Sequence, residues 1–403
     1  MWLHSLLSKI SRAKDYTLDE VHAIYVTHVI YGLAQSLLGI FIPIYIYNLS
    51  KEQLVLSENL VTNGFLWVIL FFAVCSLVVV LSILIFGRLI FEWTLKKTIF
   101  FSQLFLIACY AFLSLAEHNL AFILIAAAFC GVHNTFYWIP YHIFFVKRAD
   151  DGDKKYGAEI GKRDLLVSLS STLGPLLGAL MIAHLGFSVL YGFAIFLLLI
   201  STLPIIIFVR EGEHRTHTFS DVYSNFIKNR AYIKTSLALG GSTISGTISA
   251  IFWTLMLYFG IKSFVEIGFL ITSSSVLAMI LLVIVGKAID TKGKKVIHSL
   301  GVAVGSLLQI SRVFFNSLGF LYANVILDNA NSPSYNVPFN ASIYEKSLEG
   351  SVSDFLIYRE IMLHGIRLIV LVLVGVVLYL TNSWTWTFFV GAIGSILTIL
   401  VDF

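Results

Sequence analysis

From Leu60 to Gly87 the chain runs twenty-eight consecutive residues without one charged side chain. About 20 apolar residues wound as an α-helix are enough to cross the roughly 30 Å hydrocarbon layer of a bilayer. No water in that layer satisfies backbone N–H and C=O groups, so such a segment closes its hydrogen bonds internally as a helix. Comparable runs recur along the whole sequence. Hydrophobic residues make up 58% of the chain and charged residues 12%, about half the charge fraction of an ordinary soluble domain. A larger core cannot absorb that difference, because a soluble chain of this length still has much polar surface to cover. The bilayer is the solvent.

Apolar runs between polar breaks predict twelve spans, near residues 22–48, 60–87, 97–117, 119–146, 164–185, 187–209, 232–260, 264–287, 295–313, 316–344, 354–381 and 383–402. Lysine and arginine fall in alternate loops. One set of loops holds Arg88, Lys96 and Lys97, then Lys147 to Arg163, then Arg210 to Lys234, then Lys287 to Lys295, then Lys346 and Arg359. The intervening loops hold little beyond Lys51 and Lys262. The positive-inside rule then puts both termini on the cytoplasmic side, with the plasma membrane as the expected location. The net charge of +4 is a topology signal and implies no nucleic-acid partner.

Residues 1–20, with Lys9, Arg12 and Lys14, have too short an apolar stretch for a signal peptide and are expected as an amphipathic cytoplasmic segment. The longest polar break that divides the spans evenly is 210–230, where Phe219, Tyr223 and Phe226 recur at helical spacing among charges. An amphipathic helix on the membrane face is expected there. The domain organisation is therefore an N-terminal six-helix half (1–209), a cytoplasmic linker (210–231) and a C-terminal six-helix half (232–403). Cys75, Cys109 and Cys130 all lie in apolar runs, with no metal-site or disulfide spacing. No metal and no cofactor is expected.

The halves repeat each other at an offset of about 198 residues. Tyr137 to His142 in span four aligns with Tyr335 to Asn340 in span ten, including Pro140 with Pro338. The same register sets Lys96 and Lys97 opposite Lys294 and Lys295, and a two-residue slip sets Arg163-Asp164 opposite Arg359-Glu360. An even number of spans separates equivalent points, so the repeat is parallel, with its pseudo-two-fold along the membrane normal.

After span eight come Gly286, Asp290, Gly293, Lys294 and Lys295. This resembles the G-x-x-x-D-x-x-G-[RK]-[RK] loop of the major facilitator superfamily. After span two, Gly87, Glu92 and the basic pair remain but the second glycine is lost. Span five carries Gly174, Pro175 and Gly178, followed by Ala179, similar to the family's G-P-x-x-G-G segment. The resemblance covers nearly the whole chain. It implies an all-α fold of two pseudo-symmetric six-helix bundles, a central cavity lined by spans one, four, seven and ten, and alternating-access transport by a monomer. The loop residues are expected to gate through charge–dipole contacts between helix ends. Gly174, Pro175 and Gly178 are expected to pack closely against a partner helix with a bend at the proline. The degenerate span-five segment tilts the expectation slightly toward export.

Ionisable groups at membrane depth face a cavity or a partner. His133, Asp328 and Arg367 fall near mid-depth by helical rise. An Asp328–Arg367 ion pair between consecutive spans is expected, serving either as a static pin or as an opening pair. Gln35, His133, Tyr137 and Trp138 on one side, and Asp328, Asn331, Tyr335 and Arg367 on the other, are the candidate substrate-binding residues. Asp328 and His133 are the proton-coupling candidates. A competing enzyme reading would use Asp151 and Asp153, or His214, His217 and Asp221, but both clusters lie in charged loops that are expected to be solvated. A lipid flippase or a transporter-like receptor is the remaining alternative. The expected partners are a small organic solute, protons and the bilayer.

Overall fold

The computed structural model describes residues 20–53, 55–150, 168–208, 222, 226, 229 and 232–403. The N-terminal segment, the basic loop with Asp151 and Asp153, and most of the linker, including Phe219, Tyr223, His214, His217 and Asp221, lie outside the described residues.

Five of the helices start where the sequence supplies a side chain to cap them. Asn59 accepts from the amides of Val61 and Thr62 ahead of α3 (Leu60–Glu92), and Thr94 accepts from Lys97 N–H ahead of α4 (Leu95–Leu115). Ser263, Ser317 and Ser351 do the same for α9 (Phe264–Lys292), α11 (Leu318–Ser347) and α12 (Val352–Thr381). A cap satisfies one of the amides that a helix N-terminus leaves open. The remaining elements are α1 (Glu20–Gly39), α2 (Phe41–Ser50), α5 (Ala121–Asp150), α6 (Gly174–Phe208), α7 (Ile233–Ile248), α8 (Thr254–Ile261), α10 (Lys294–Phe314) and α13 (Thr387–Leu397). No strand occurs among the described residues.

Nine of the described helical segments are long and apolar enough to cross a membrane. One of them, Ser168–Phe208, comprises two stretches that meet at Gly186, whose φ of 82° and ψ of 171° are not helical. That turn is the tight connection between spans five and six. Two further helices complete the expected pattern. α11 is long but polar, and Thr387–Leu400 is apolar but short. The tally of twelve spans accords with this set.

Span one is interrupted between Gly39 and Phe41, and span seven carries a five-residue π-helical turn, Ser249–Trp253, between α7 and α8. Such wide turns re-aim the residues that follow and are frequent at functional positions. Neither irregularity is visible in the hydropathy pattern.

The packing of the N-terminal helices is repeated among the C-terminal ones. α1 packs on α6 as α7 packs on α12; α4 on α5 as α10 on α11; and α3 on α5 as α9 on α11. The two sets touch chiefly along α3 with α12 and α6 with α9. These two contacts exchange under a rotation that carries each span to its repeat six spans later. At the lysine-poor end, which bears the loops at 51–59, 262–263, 315–317 and 382–386, Phe65 stacks on Phe252 and Trp384 at 5.3 Å each, and Asn48 hydrogen-bonds Tyr258. At the lysine-rich end Tyr344 Oη lies 3.0 Å from His142 Nδ1.

Candidate functional site

Among the N-terminal helices, four polar side chains from α1, α4 and α5 form one buried relay. Tyr110 donates to Gln35 Oε1 at 2.9 Å, Gln35 Nε2 donates to Tyr31 Oη at 2.9 Å, and Tyr31 Oη lies 3.0 Å from His133 Nε2. His133 Nδ1 lies 2.8 Å from the Ser102 carbonyl. A carbonyl only accepts, so Nδ1 carries the hydrogen, and Nε2 of the neutral ring is left to accept from Tyr31. Every proton in the relay is then assigned. His133 is fully buried, as are Tyr31, Tyr110 and Tyr137 within a few per cent.

Aromatic stacking closes the same region. Tyr31 stacks on Tyr137 at 4.2 Å and His28 stacks on Tyr141 at 4.4 Å, while His28 Nδ1 lies 2.7 Å from Tyr137 Oη. Trp138 is half-buried, edge-on to His28 and Tyr137 and stacked on His142. Gln35, His133, Tyr137 and Trp138 are thus brought together, with His133 and Tyr137 inside the helix packing and Gln35 and Trp138 half-buried at its margin.

The C-terminal side differs from the sequence-based pairing. Asp328 pairs with Arg312, not Arg367: Arg312 Nη2 donates to Asp328 Oδ2 at 2.6 Å. Arg312 Nε donates to Asn324 Oδ1 at 2.8 Å, and its guanidinium lies 4.0 Å from the Trp253 ring, which the π-helical turn positions. Arg312 is fully buried, whereas the Asp328 side chain keeps 24% of its surface. Counting helical rise places residues by depth but gives no azimuth, and a long arginine reaches inward from its own level.

Arg367 stands elsewhere. Its Nε donates to Thr247 Oγ1 of α7 at 3.2 Å, and among the described residues the guanidinium has no ion pair. It lies within electrostatic range of Glu360 on its own helix and of Cys75 and Cys130 on α3 and α5. Asn134 Nδ2 is 3.6 Å from Cys75 Sγ and 3.8 Å from Cys130 Sγ. The Asn331 side chain is tied to the Gly301 carbonyl at 2.8 Å, and the Tyr335 carbonyl faces His298. Tyr335 lies within electrostatic range of Asp328 and Arg312, whereas Arg367 forms no hydrogen bond or ion pair with Asp328, Asn331 or Tyr335 among the described residues.

The loop residues are separated as well. Gly293 ends α9 and opens α10 at φ 85°, a conformation that favours glycine. Lys294 pairs with Glu345 at the end of α11. Asp290 and Lys295 are exposed, and Gly286 has open space beside it. Asp290 forms no ion pair among the described residues, and Arg163 and Asp164 lie outside them. In the span-two copy, Arg88 pairs with Glu92 at 2.7 Å on the exposed surface, and Gly87 has no close neighbour.

In span five, Gly174 lies against Ser36 and Gly178 against Leu37 and Phe41, so that an added methyl group would overlap α1. Pro175 interrupts the backbone ladder, and Thr272 of α9 fills the break: its hydroxyl donates to the Thr172 carbonyl at 2.9 Å and accepts from Leu176 N–H at 3.2 Å. Gly268, one turn earlier on α9, packs on Pro175 and Ala179. Thr272, Ser102 and Tyr110 were not singled out as partners by sequence reasoning. Each lies in an apolar run, and only spatial contact gives it a role.

A family profile described as Major Facilitator Superfamily matches residues 24–353. The chain belongs to the Major Facilitator Superfamily. No curated protein matches the sequence. Among solved structures, the fucose:proton symporter FucP of E. coli superposes with a TM-score of 0.62 at 12% identity, covering 94% of this chain and 96% of that one. The human organic anion transporter MFSD10 superposes with a TM-score of 0.67 at 12% identity, covering 95% of this chain and 98% of that one. The protein is an integral membrane transporter with the superfamily fold.

Proposed function

We propose that this transporter moves a small organic solute bearing an anionic or strongly accepting group, by rocking its two six-helix halves (1–209 and 232–403) about a central site. One observation carries the proposal. Arg367, in the middle of α12, has a single hydrogen bond and no ion pair among the described residues, and it lies on a helix packed against both α3 and α5. A cation at membrane depth is costly without a counter-charge, and a solute carboxylate or phosphate arriving between the halves would supply one, in bidentate geometry. Trp138, half-buried beside the aromatic stack, would contact the solute's apolar part. Gln35, His133 and Tyr137 would hold that wall in shape. Asp328 would anchor Arg312, and Asn331 and Tyr335 would hold α11 against α10.

The neighbours of this fold include a proton symporter for a sugar and a carrier of organic anions, but at 12% identity their cargo does not transfer. Proton coupling is the second reading. It rests on Asp328, a partly exposed carboxylate in a pair that protonation would open. His133 fits it less well, since both of its ring nitrogens are occupied. The lysine-rich end is taken as cytoplasmic, and the unit as a monomer.

The test is counterflow of a panel of radiolabelled organic acids, sugars and amines into proteoliposomes. An acid is expected to exchange, with loss of exchange in Arg367→Gln and partial retention in Arg367→Lys. Full exchange of an acid by Arg367→Gln would overturn the assignment. Added protonophore separates the coupled from the uncoupled mode.

A further inference from the structure

We infer that a second binding site, distinct from the central one, lies at the lysine-poor end within the C-terminal helices, and that it takes an amphiphilic monoanion. A cavity of about 330 Å³ opens there between the end of α8, the end of α10 and the start of α13. Its walls include Met256, Phe259, Phe315, Trp384 and Thr385, and Arg312 lines it as well.

The arginine is what makes this a site and not a packing gap. Arg312 is 1% exposed. Two of its three guanidinium nitrogens are committed, Nε to Asn324 and Nη2 to Asp328. Nη1 is buried and has no hydrogen-bond partner among the described residues. A buried donor of a charged group left unpaired is costly, and an acceptor seated in the cavity removes the cost. Trp253 covers one face of the guanidinium, which leaves approach in its plane, the geometry that suits a carboxylate or phosphate oxygen. Most of the remaining lining is aromatic or apolar, with Asn316 and Thr385 as its polar members, so the occupant carries a ring or short chain behind its head group. This volume lies at the low end of small-ligand pockets. A free aromatic acid and the head of an anionic lipid share this chemistry. Phe314 and Phe315 at the rim are 67% and 58% exposed, so both routes of entry are open.

Occupancy would also bear on gating. Phe259 and Trp384 line the cavity on one side and meet Phe65 of α3 on the other, at 6.0 and 5.3 Å. A ligand that fits these walls as they stand selects the conformation in which the lysine-poor end is closed.

The experiment is equilibrium binding of radiolabelled phenylbutyrate, with phenylbutyramide and phenylbutylamine as competitors, to the full chain in phosphatidylcholine nanodiscs. A parallel set of discs contains phosphatidylglycerol. The acid is expected to bind saturably, the amide about tenfold more weakly, and the amine not at all. Arg312→Lys, which keeps a cation for Asp328 but removes Nη1, is expected to weaken binding about tenfold. In the Arg367→Gln background, which removes the central site's cation, a saturable component is expected to persist, and adding Thr385→Trp, which fills the mouth without touching the pair, is expected to abolish that component. Phosphatidylglycerol that competes identifies the lipid route; no competition identifies the free acid. Equal binding of acid and amine, or saturable binding that survives Thr385→Trp in the Arg367→Gln background, would overturn the inference. Loss of every saturable component in Arg367→Gln would place the acid in the central site alone and overturn it too.

Discussion

The Thr272 hydroxyl completes the backbone of a helix to which it does not belong, donating to the Thr172 carbonyl at 2.9 Å where Pro175 has broken the ladder of α6. The same oxygen accepts from Leu176 N–H, so one side chain of the C-terminal set satisfies both ends of the gap. In a bilayer no water is at hand to replace it. Thr272→Val, close in volume but without the hydroxyl, leaves two buried backbone groups unpaired at about 1–3 kcal/mol each. A lowered melting temperature of the purified protein is expected, with Thr272→Ser close to wild type. If Thr272→Val melts with wild type, the bridge contributes nothing to holding α6 on α9.

Tyr31 accepts from Gln35 and donates to His133 through one hydroxyl, so Tyr31→Phe breaks two hydrogen bonds without changing shape much. A loss of about 1–3 kcal/mol is expected from the orphaned Gln35 and His133 groups, read as reduced thermal stability. Solute affinity in counterflow is expected to change little, because the relay lies inside the helix packing. A large rise in KM at unchanged stability would instead put these residues in direct contact with the solute.

The Arg312–Asp328 pair gives a sharper test because it replaces the pairing that depth alone suggests. Asp328→Asn leaves a buried guanidinium without its counter-charge, a loss of about 3–5 kcal/mol. A double-mutant cycle of Arg312→Met with Asp328→Leu is expected to recover most of that loss, since burial of two apolar groups removes the unpaired charge. The cycle of Asp328→Leu with Arg367→Met is expected to show coupling near zero. Thermal denaturation of the six proteins checks both.

How much of this was legible in the sequence depends on which physical quantity the sequence encodes. Span count, loop charge and the repeat are one-dimensional patterns, and the helices follow them closely, down to Gly186 in the tight turn between spans five and six. Average hydropathy alone misses α11, whose Asn324, Asp328, Asn331 and Asn336 lower it, although reading apolar runs between polar breaks places a span at 316–344. Partner choice is a matter of azimuth. That is why Asp328 was matched with the wrong arginine, and why the Ser102 carbonyl, a backbone atom, gave no signal at all. The π-helical turn at Ser249–Trp253 has no proline or glycine to announce it. It is that turn that carries Trp253 to Arg312.

The rocking motion itself can be tested at the two ends. At the lysine-poor end Thr62 donates to Asn382 Oδ1 at 2.7 Å between the sets of helices, and at the lysine-rich end His142 meets Tyr344 at 3.0 Å. Alternating access opens one end at a time, so each contact must break in part of the cycle. Paired substitutions Thr62→Cys with Asn382→Cys, and separately His142→Cys with Tyr344→Cys, place thiols at each contact. Cys75 and Cys109 are buried and Cys130 is half-buried, which keeps the background reaction low. A short, cleavable bifunctional thiol reagent is expected to stop counterflow in either double variant, and reducing agent to restore it. A single end that tolerates the cross-link with full exchange is a fixed hinge point, and the motion would then be a one-sided gate. Full exchange with both ends cross-linked in one quadruple variant would eliminate movement of the two halves as the basis of transport.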